Sequence, residues 1–489
     1  MSSQVIAFAV WGNPAYWRLA NYKSNGEGVK SFSTLEILSQ VEKPKKVILI
    51  VSDTLALEAP DKITSYDDVV EKARSYAERY VCSHLDEFEI KVLPGVIRKN
   101  KGNAVYVFKA DMDDFRSLAL YEIYMQSIRE DRPLELTLDI SHGINYMPTL
   151  TYDSFREAAA LYSVSRIQRT KIRVYQADPY PILQKETEEK LKRDESSPCT
   201  PKSQDAHPPD VAYNLLLEEN VYPWEVTRYI GFQKQKVKQT LNDVRNFPEH
   251  ESVKSLIEEL SLPLIGAYRL GAIVQLALLA KPALAAEGAS ASASGGSINS
   301  GQSDSCAPKA NWSLKDIEVF LKRSIEEWRK GREPFEDGNE IIVESKNKFA
   351  PGFRALLQTH AILSGIKSLI STSELEVVTL TELKNLKKLY QGSKVVTHLL
   401  DREIEKLDFL KGKILEDWTP YYKYRSGVQS KDGSRVKKCD PIFKRDFIAH
   451  AGFHDEVIEV RKFNSEIQIR VKGCYWCCIK NILEDAVTT

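Results

Sequence analysis

Leu136-Thr137-Leu138-Asp139-Ile140-Ser141-His142-Gly143-Ile144-Asn145 is the stretch on which the fold turns. Its apolar first half has the length and content of a buried strand, and the polar residues that follow end it. Gly143 permits close backbone approach there, and Pro148 opens a helix at a favoured first-turn position. The exposed amides of such a helix start suit a phosphate group. Working outward, Val5–Val10, Lys46–Val51, Ala104–Phe108 and Lys171–Gln176 repeat the strand pattern. Ser65–Leu85, Asp113–Arg129 and Thr149–Tyr162 carry apolar residues at helical spacing. Strands alternating with helices predict a parallel, doubly wound α/β sheet over residues 1–183. On such sheets ligands bind beyond the carboxyl ends of the strands.

Three polar loops follow apolar strands in this region: Trp11-Gly12-Asn13-Pro14, Ser52-Asp53-Thr54 and Ser141-His142-Gly143-Ile144-Asn145. In a doubly wound sheet they would converge on one edge. That makes Trp11, Gly12, Asn13, Ser52, Asp53, Thr54, Ser141, His142, Gly143 and Asn145 the candidate ligand-binding residues. Any one of these loops is equally readable as ordinary turn chemistry. No Gly-x-Gly-x-x-Gly fingerprint or phosphate loop is present, since Gly26-Glu27-Gly28 lacks the third glycine and a preceding strand. An ordinary NAD or ATP enzyme is disfavoured.

Beyond this region, Gln184–Asp210 is charged and then rich in Pro, Ser and Asp, and marks a boundary. Residues 184–250 read as a linker with a helical module. Val211–Glu218, Trp224–Ile230 and, after Gly231, Gln233–Val244 resemble a helix-turn-helix. Lys234, Lys236, Lys238 and Arg245 could face duplex DNA, although Glu225 and Asp243 dilute the charge, so a spacer is preferred over a DNA reader. Residues 251–489 read as a helical domain. It carries a flexible Ala/Ser/Gly-rich insert at 286–311, a hairpin in Glu456–Lys472 about Asn464-Ser465, and a closing helix at Cys474–Glu484. Other helices are expected at Leu314–Lys330, Phe353–Ser371, Leu375–Tyr390, Lys394–Asp417 and Pro441–Ala451.

The chain has 489 residues, with 68 Lys and Arg against 68 Asp and Glu. Neutrality excludes a general nucleic-acid coat protein, so any nucleic-acid contact must be local. The apolar stretch from Leu262 to Ala286 holds only 11 residues between Arg269 and Lys281, against the ~20 of a membrane span. It reads as buried helix. The amino terminus reads as a first strand, not a signal peptide. Seven irregularly spaced cysteines give no secreted framework, and a cytoplasmic location is expected by elimination. Cys474 and Cys477 form a lone Cys-x-x-Cys, read as buried or disulfide-forming and not as a metal site. Four methionines among abundant Lys, Glu and Arg suggest a heat-adapted source.

Near the carboxyl end runs Arg445-Asp446-Phe447-Ile448-Ala449-His450. Asp446 and His450 are four apart and would share a helix face, so the carboxylate could orient the imidazole. Arg445 offers a fixed cation for phosphorane-like charge, and His450 can shuttle a proton. Those groups suit attack on an RNA phosphate by its own 2′-hydroxyl without a metal or cofactor. Spacing alone favours a surface Arg and a helix-end His set against the carboxyl-terminal dipole, because Arg-x4-His is common by chance. Residues 421–450 carry eight basic and three acidic residues, net +5, whereas residues 61–90 carry four and eight, net −4. Tyr422, Lys423, Arg425, Lys437, Lys438 and Lys444 are therefore the candidate RNA contacts.

The Leu138–Asn145 loop is similar to the motif of CARF domains, the Rossmann-like sensors of CRISPR systems. The Arg445–His450 run resembles the Arg-x4–6-His motif of HEPN ribonucleases. Together, in this order, they resemble the CARF–HEPN ribonucleases of type III CRISPR defence. The resemblance implies a homodimer, with a cyclic oligoadenylate (cyclic tetra-adenylate foremost) in a two-fold CARF pocket. It also implies a composite site in which Arg445 and His450 of both subunits cut single-stranded RNA. The products would be a 2′,3′-cyclic phosphate and a 5′-hydroxyl. Two alternatives stay open: a ligand-gated DNA-binding regulator, and a ring nuclease in which Ser141 and His142 help to destroy the cyclic ligand.

Overall fold

The computed structural model describes residues 3–488 except 83, 84, 86, 131, 145, 195, 204, 206, 243–246, 287–306, 309, 310, 415 and 425–440. The chain forms two compact units. The first comprises Met1–Tyr162, Thr170–Val221 and Glu326–Phe349; the second comprises Ser163–Arg169, Tyr222–Ile325 and Ala350–Thr489.

The first unit is built on strands β1 (Gln4–Trp11), β2 (Ala20–Ser24), β3 (Glu27–Ser31), β4 (Lys46–Ser52), β5 (Phe88–Leu93), β6 (Ile97–Lys101), β7 (Ala104–Lys109), β8 (Leu134–His142), β9 (Thr170–Ala177), β10 (Asp210–Val221), β11 (Phe335–Asp337) and β12 (Glu340–Glu344). The main sheet has the order β3-β2-β10-β9-β8-β1-β4-β5. Its centre, β9-β8-β1-β4-β5, is wholly parallel, as the alternation of strands and helices requires. Ile6–Val10 and Val47–Val51 are buried along their whole length, the mark of strands covered on both faces. The helix Tyr66–Glu78 packs against β4 and β5. Ser65 caps it by accepting from the Asp68 amide at 3.1 Å, and Tyr66, Val69, Val70, Ala73, Tyr76 and Ala77 form its buried stripe.

Four expectations are corrected. Ala104–Phe108 is a strand, but it belongs to a second sheet, β11-β12-β7-β6, where β7 runs parallel to β12 from far along the chain. Residues 211–218 are strand, not helix. Val211 and Tyr213 alternate with exposed Ala212 and Asn214, and β10 lies antiparallel to β9. The unit therefore continues through the expected boundary at residue 184 to Val221.

Gln233–Val244, where it is described, makes turns and not a recognition helix. Val237 and Leu241 are buried at helical spacing, yet the backbone carbonyls are claimed elsewhere. Gly352 N–H donates to Gln239 O at 3.1 Å and Ala350 N–H to Thr240 O at 2.8 Å. Lys238 pairs with Glu258 and Lys234 with Asp485; Asp243 and Arg245 lie outside the described residues. Disulfide formation, one of the two readings given for the cysteines, is present. Cys82 is bonded to Cys199, 117 residues away, and Cys477 and Cys478 are disulfide-bonded.

A buried ion pair fastens Glu326–Phe349 into the first unit. Arg332 donates to Asp53 Oδ2 at 2.9 and 3.1 Å and to the Lys109 carbonyl at 2.7 Å. Neither side chain is more than 1% exposed. Trp328 Nε1–H donates to Asp114 at 2.9 Å beside it.

The second unit is helical, as expected. Its four-stranded sheet is β13 (Val378–Thr379), β14 (Thr419–Pro420), β15 (Ile458–Phe463) and β16 (Glu466–Val471), in the order β13-β16-β15-β14. Asn464 and Ser465, at φ +49° and +66°, make the two-residue turn between β15 and β16. The apolar stretch from Leu262 divides into helices Leu262–Leu270 and Ile273–Ala285, broken at Gly271 (φ +69°). Lys281 is buried there against Glu382 at 3.0 Å. Among the described residues no helix is long and apolar enough to cross a membrane. Most of the 286–311 insert lies outside the described residues.

Arg332→Ala strands the Asp53 carboxylate in the core. It is expected to lower the unfolding free energy by about 3–5 kcal/mol. Combining Arg332→Met with Asp53→Asn is expected to return most of that loss. Urea unfolding followed by tryptophan fluorescence checks both.

Candidate functional site

The carboxyl ends of β8, β1 and β4 lie side by side, so the three expected loops share one edge of the sheet. Gly12 N–H donates to the His142 carbonyl at 2.7 Å, joining the first loop to the third. A Cβ on Gly12 would meet Ile144 Cγ2 at 2.5 Å, and one on Gly143 would meet Pro148 Cγ at 2.4 Å. Both glycines are there for close approach.

A cavity of about 400 Å³ opens at this edge, lined by Tyr16, Trp17, Arg18, Tyr22, Ser141, His142, Gln176, Asp178, Tyr180 and Glu188 among others. His142 stacks on Trp17 with ring centroids 4.1 Å apart. Its Nε2 accepts from the Thr34 amide at 3.2 Å, which leaves the proton of the neutral ring on Nδ1. Desolvation, with Arg193 adding its charge, pushes the imidazole down to about 3. Ser141 Oγ–H donates to the buried Asp139 carboxylate and accepts from Ala177 N–H at 2.8 Å. Asp139 also accepts from Thr34 Oγ1–H.

Of the expected ligand residues that are described, only Ser141 and His142 line this cavity. Asp53 is corrected from ligand group to structural anion: it is consumed by Arg332, the Gly95 amide at 2.7 Å and Tyr66. Ser52 accepts from the Thr54 amide and shares a hydrogen bond with the Thr54 hydroxyl; a Cβ on Gly95 would sit 1.9 Å from Ser52 Oγ. Asn13 accepts from Ala15 N–H and Tyr76 O–H and donates to Glu58. Trp11 is buried, with its indole N–H unpartnered. Asn145 lies outside the described residues. Trp17, Arg18, Tyr22 and Tyr180 line the cavity without having been among the expected residues; the Tyr16-Trp17-Arg18 run directly after the first loop is the local signal for the first two.

In the second unit, Arg445 and His450 lie on and just past the helix Pro441–Ala449. Phe443 and Phe447, four apart, anchor it inward. Ala451 (φ +50°) and Gly452 (φ +80°) end it, and Gly452 N–H closes the turn on Phe447 O at 2.9 Å. Arg445 is largely exposed, its guanidinium against Asp446 Oδ1 at 2.9 and 3.0 Å. The expected Asp446–His450 contact is corrected accordingly. Asp446 turns to its neighbour, and His450, at the helix end, turns to Glu403. His450 Nδ1 lies 3.1 Å from Glu403 Oε1.

Glu403, on the helix Lys394–Leu410, has a side chain only 1% exposed and also meets Lys406 at 2.9 Å and Arg402 at 3.3 Å. Burial raises its carboxyl pKa, but hydrogen bonds from Lys406 and His450 more than offset that and hold it below the usual range. No local signal marks Glu403, because it lies 47 residues before His450. Tyr422 is partly exposed and Lys423 exposed; Lys444 pairs with Asp485 at 3.1 Å. Arg425, Lys437 and Lys438 lie outside the described residues. Also among the described residues, no group of three His, Cys, Asp or Glu side chains is placed to hold a metal ion.

Residues 6–179 match the family model described as CRISPR system endoribonuclease Csx1, CARF domain. Residues 393–473, which include Glu403, Arg445 and His450, match the HEPN-domain model of the same description. A curated relative, the CRISPR system endoribonuclease Csx1 of Methanocaldococcus jannaschii, is 35% identical over 188 residues. That match spans 37% of this chain and 38% of the relative.

Because the folded His142 ring resists protonation while an unfolded one titrates near 6.5, its contribution to stability is complete above about pH 6.5. It declines as pH falls toward 3. His142→Asn is expected to flatten the dependence of the urea midpoint on pH between 6.5 and 4.

Proposed function

From the premise that this chain belongs to the CARF–HEPN family of CRISPR-associated proteins, we propose that it is an endoribonuclease acting on single-stranded RNA. The observation that carries the reading is the presence of an exposed Arg445 and a partly exposed, carboxylate-bound His450 on and just past one helix, inside the matched HEPN segment.

The 2′-oxygen of the substrate attacks the adjacent phosphorus, and the bond to the 5′-oxygen breaks. The 2′-hydroxyl proton passes to a His450 imidazole, and the departing 5′-oxygen takes a proton from water. Arg445 stabilises the charge that builds on the phosphoryl oxygens. A 2′,3′-cyclic phosphate and a 5′-hydroxyl result, with no step requiring a metal. A homodimer supplies two copies of each group. Its support is the exposed Ile442 and Ile448 on the same helix.

The activator is a cyclic oligoadenylate, with cyclic tetra-adenylate foremost. Its support is a cavity beyond parallel strand ends whose lining includes the aromatic side chains of Trp17, Tyr22 and Tyr180. Activation requires that the ligand bind more tightly to the cleaving arrangement than to the resting one.

Unstructured RNA incubated in EDTA is expected to be cut only when cyclic tetra-adenylate is present. His450→Ala and Arg445→Ala are each expected to reduce the rate on the order of 10²–10⁴-fold. Cleavage indifferent to both the activator and His450→Ala would overturn the reading.

A further inference from the structure

Glu403 lies far in sequence from the Arg445–His450 motif, yet its carboxylate meets the imidazole. We propose that Glu403 is a positioning residue that fixes His450 as its Nδ1–H tautomer and thereby presents Nε2 to the RNA. The proposal rests on the ribonuclease reading above.

An ionised carboxylate only accepts hydrogen bonds, so the ring nitrogen 3.1 Å from Glu403 Oε1 must carry the proton. In the neutral ring the lone pair is then on Nε2, the nitrogen left free to take the 2′-hydroxyl proton. Flipping the ring would set a carbon against the carboxylate and forfeit the bond. The anchor is itself held, since Lys406 and Arg402 approach the same oxygen at 2.9 and 3.3 Å. Glu403 is nearly fully buried while His450 keeps about a quarter of its side chain exposed. The carboxylate therefore reaches the substrate only through the imidazole. It stabilises the imidazolium that forms and takes no proton itself.

The test uses the full chain labelled with ¹⁵N-histidine, with His450→Ala to assign the ring. Wild type is expected to show protonated Nδ1 and unprotonated Nε2, and Glu403→Met to shift the population toward Nε2–H. With saturating cyclic tetra-adenylate, Glu403→Met is expected to lose kcat on the order of 10- to 100-fold, with KM within about twofold. Glu403→Gln keeps an acceptor oxygen without the charge and should fall between. It also carries both readouts if Glu403→Met does not fold by circular dichroism. An Nε2–H tautomer in wild type, a tautomer indifferent to Glu403, or an unchanged kcat in a folded variant would each overturn the proposal. A wild type that cuts no RNA while the tautomer still follows Glu403 would defeat the ribonuclease reading and leave the Glu403–His450 placement standing.

Discussion

A guanidinium and a carboxylate withdrawn from water must find each other, and the first unit is organised around that demand. Arg332 and Asp53 are separated by 279 residues, and each would be costly to bury alone. Asp53 directly follows β4, at its carboxyl end. Arg332 arrives with the segment whose β12 extends the second sheet. Tyr66, the Gly95 amide and the Lys109 carbonyl complete their hydrogen bonds. The loop after β4 is thereby made rigid by partners from four places in the chain, and its polar residues serve the fold.

A second buried carboxylate plays a different part. Glu403 has three partners on one oxygen, of which two are cations and the third is an imidazole that reaches solvent. Removing water from Asp53 fixes architecture, whereas removing it from Glu403 orients a titratable ring at the surface.

The central parallel strands were legible because burial on both faces writes continuous apolar runs, as in Phe8–Val10 and Ile48–Val51. The hairpin at Asn464-Ser465 was legible because its alternation and turn chemistry are local. Legibility failed where the deciding partner was distant. Val211–Glu218 fits either period until β9 is known to lie beside it. The helical spacing of Val237 and Leu241 says nothing of carbonyls taken by Ala350 and Gly352. The motif residues Arg445 and His450 were legible through the family resemblance, since their spacing alone fits a surface Arg and a helix-end His. Asp446 was assigned the imidazole because it was the only carboxylate four residues away, while Glu403 came from another helix.

The Cys82–Cys199 bond closes a covalent ring that takes in β5 to β9 of the first unit. A protease that nicks the chain once between those cysteines leaves a molecule of unchanged mass apart from one added water. The two pieces would part on a denaturing gel only after a thiol is added. Such a nicked ring keeps both halves at a very high effective concentration. The sensor-like sheet thus has a form of damage tolerance that depends on the redox state of its surroundings and not on the strength of its core.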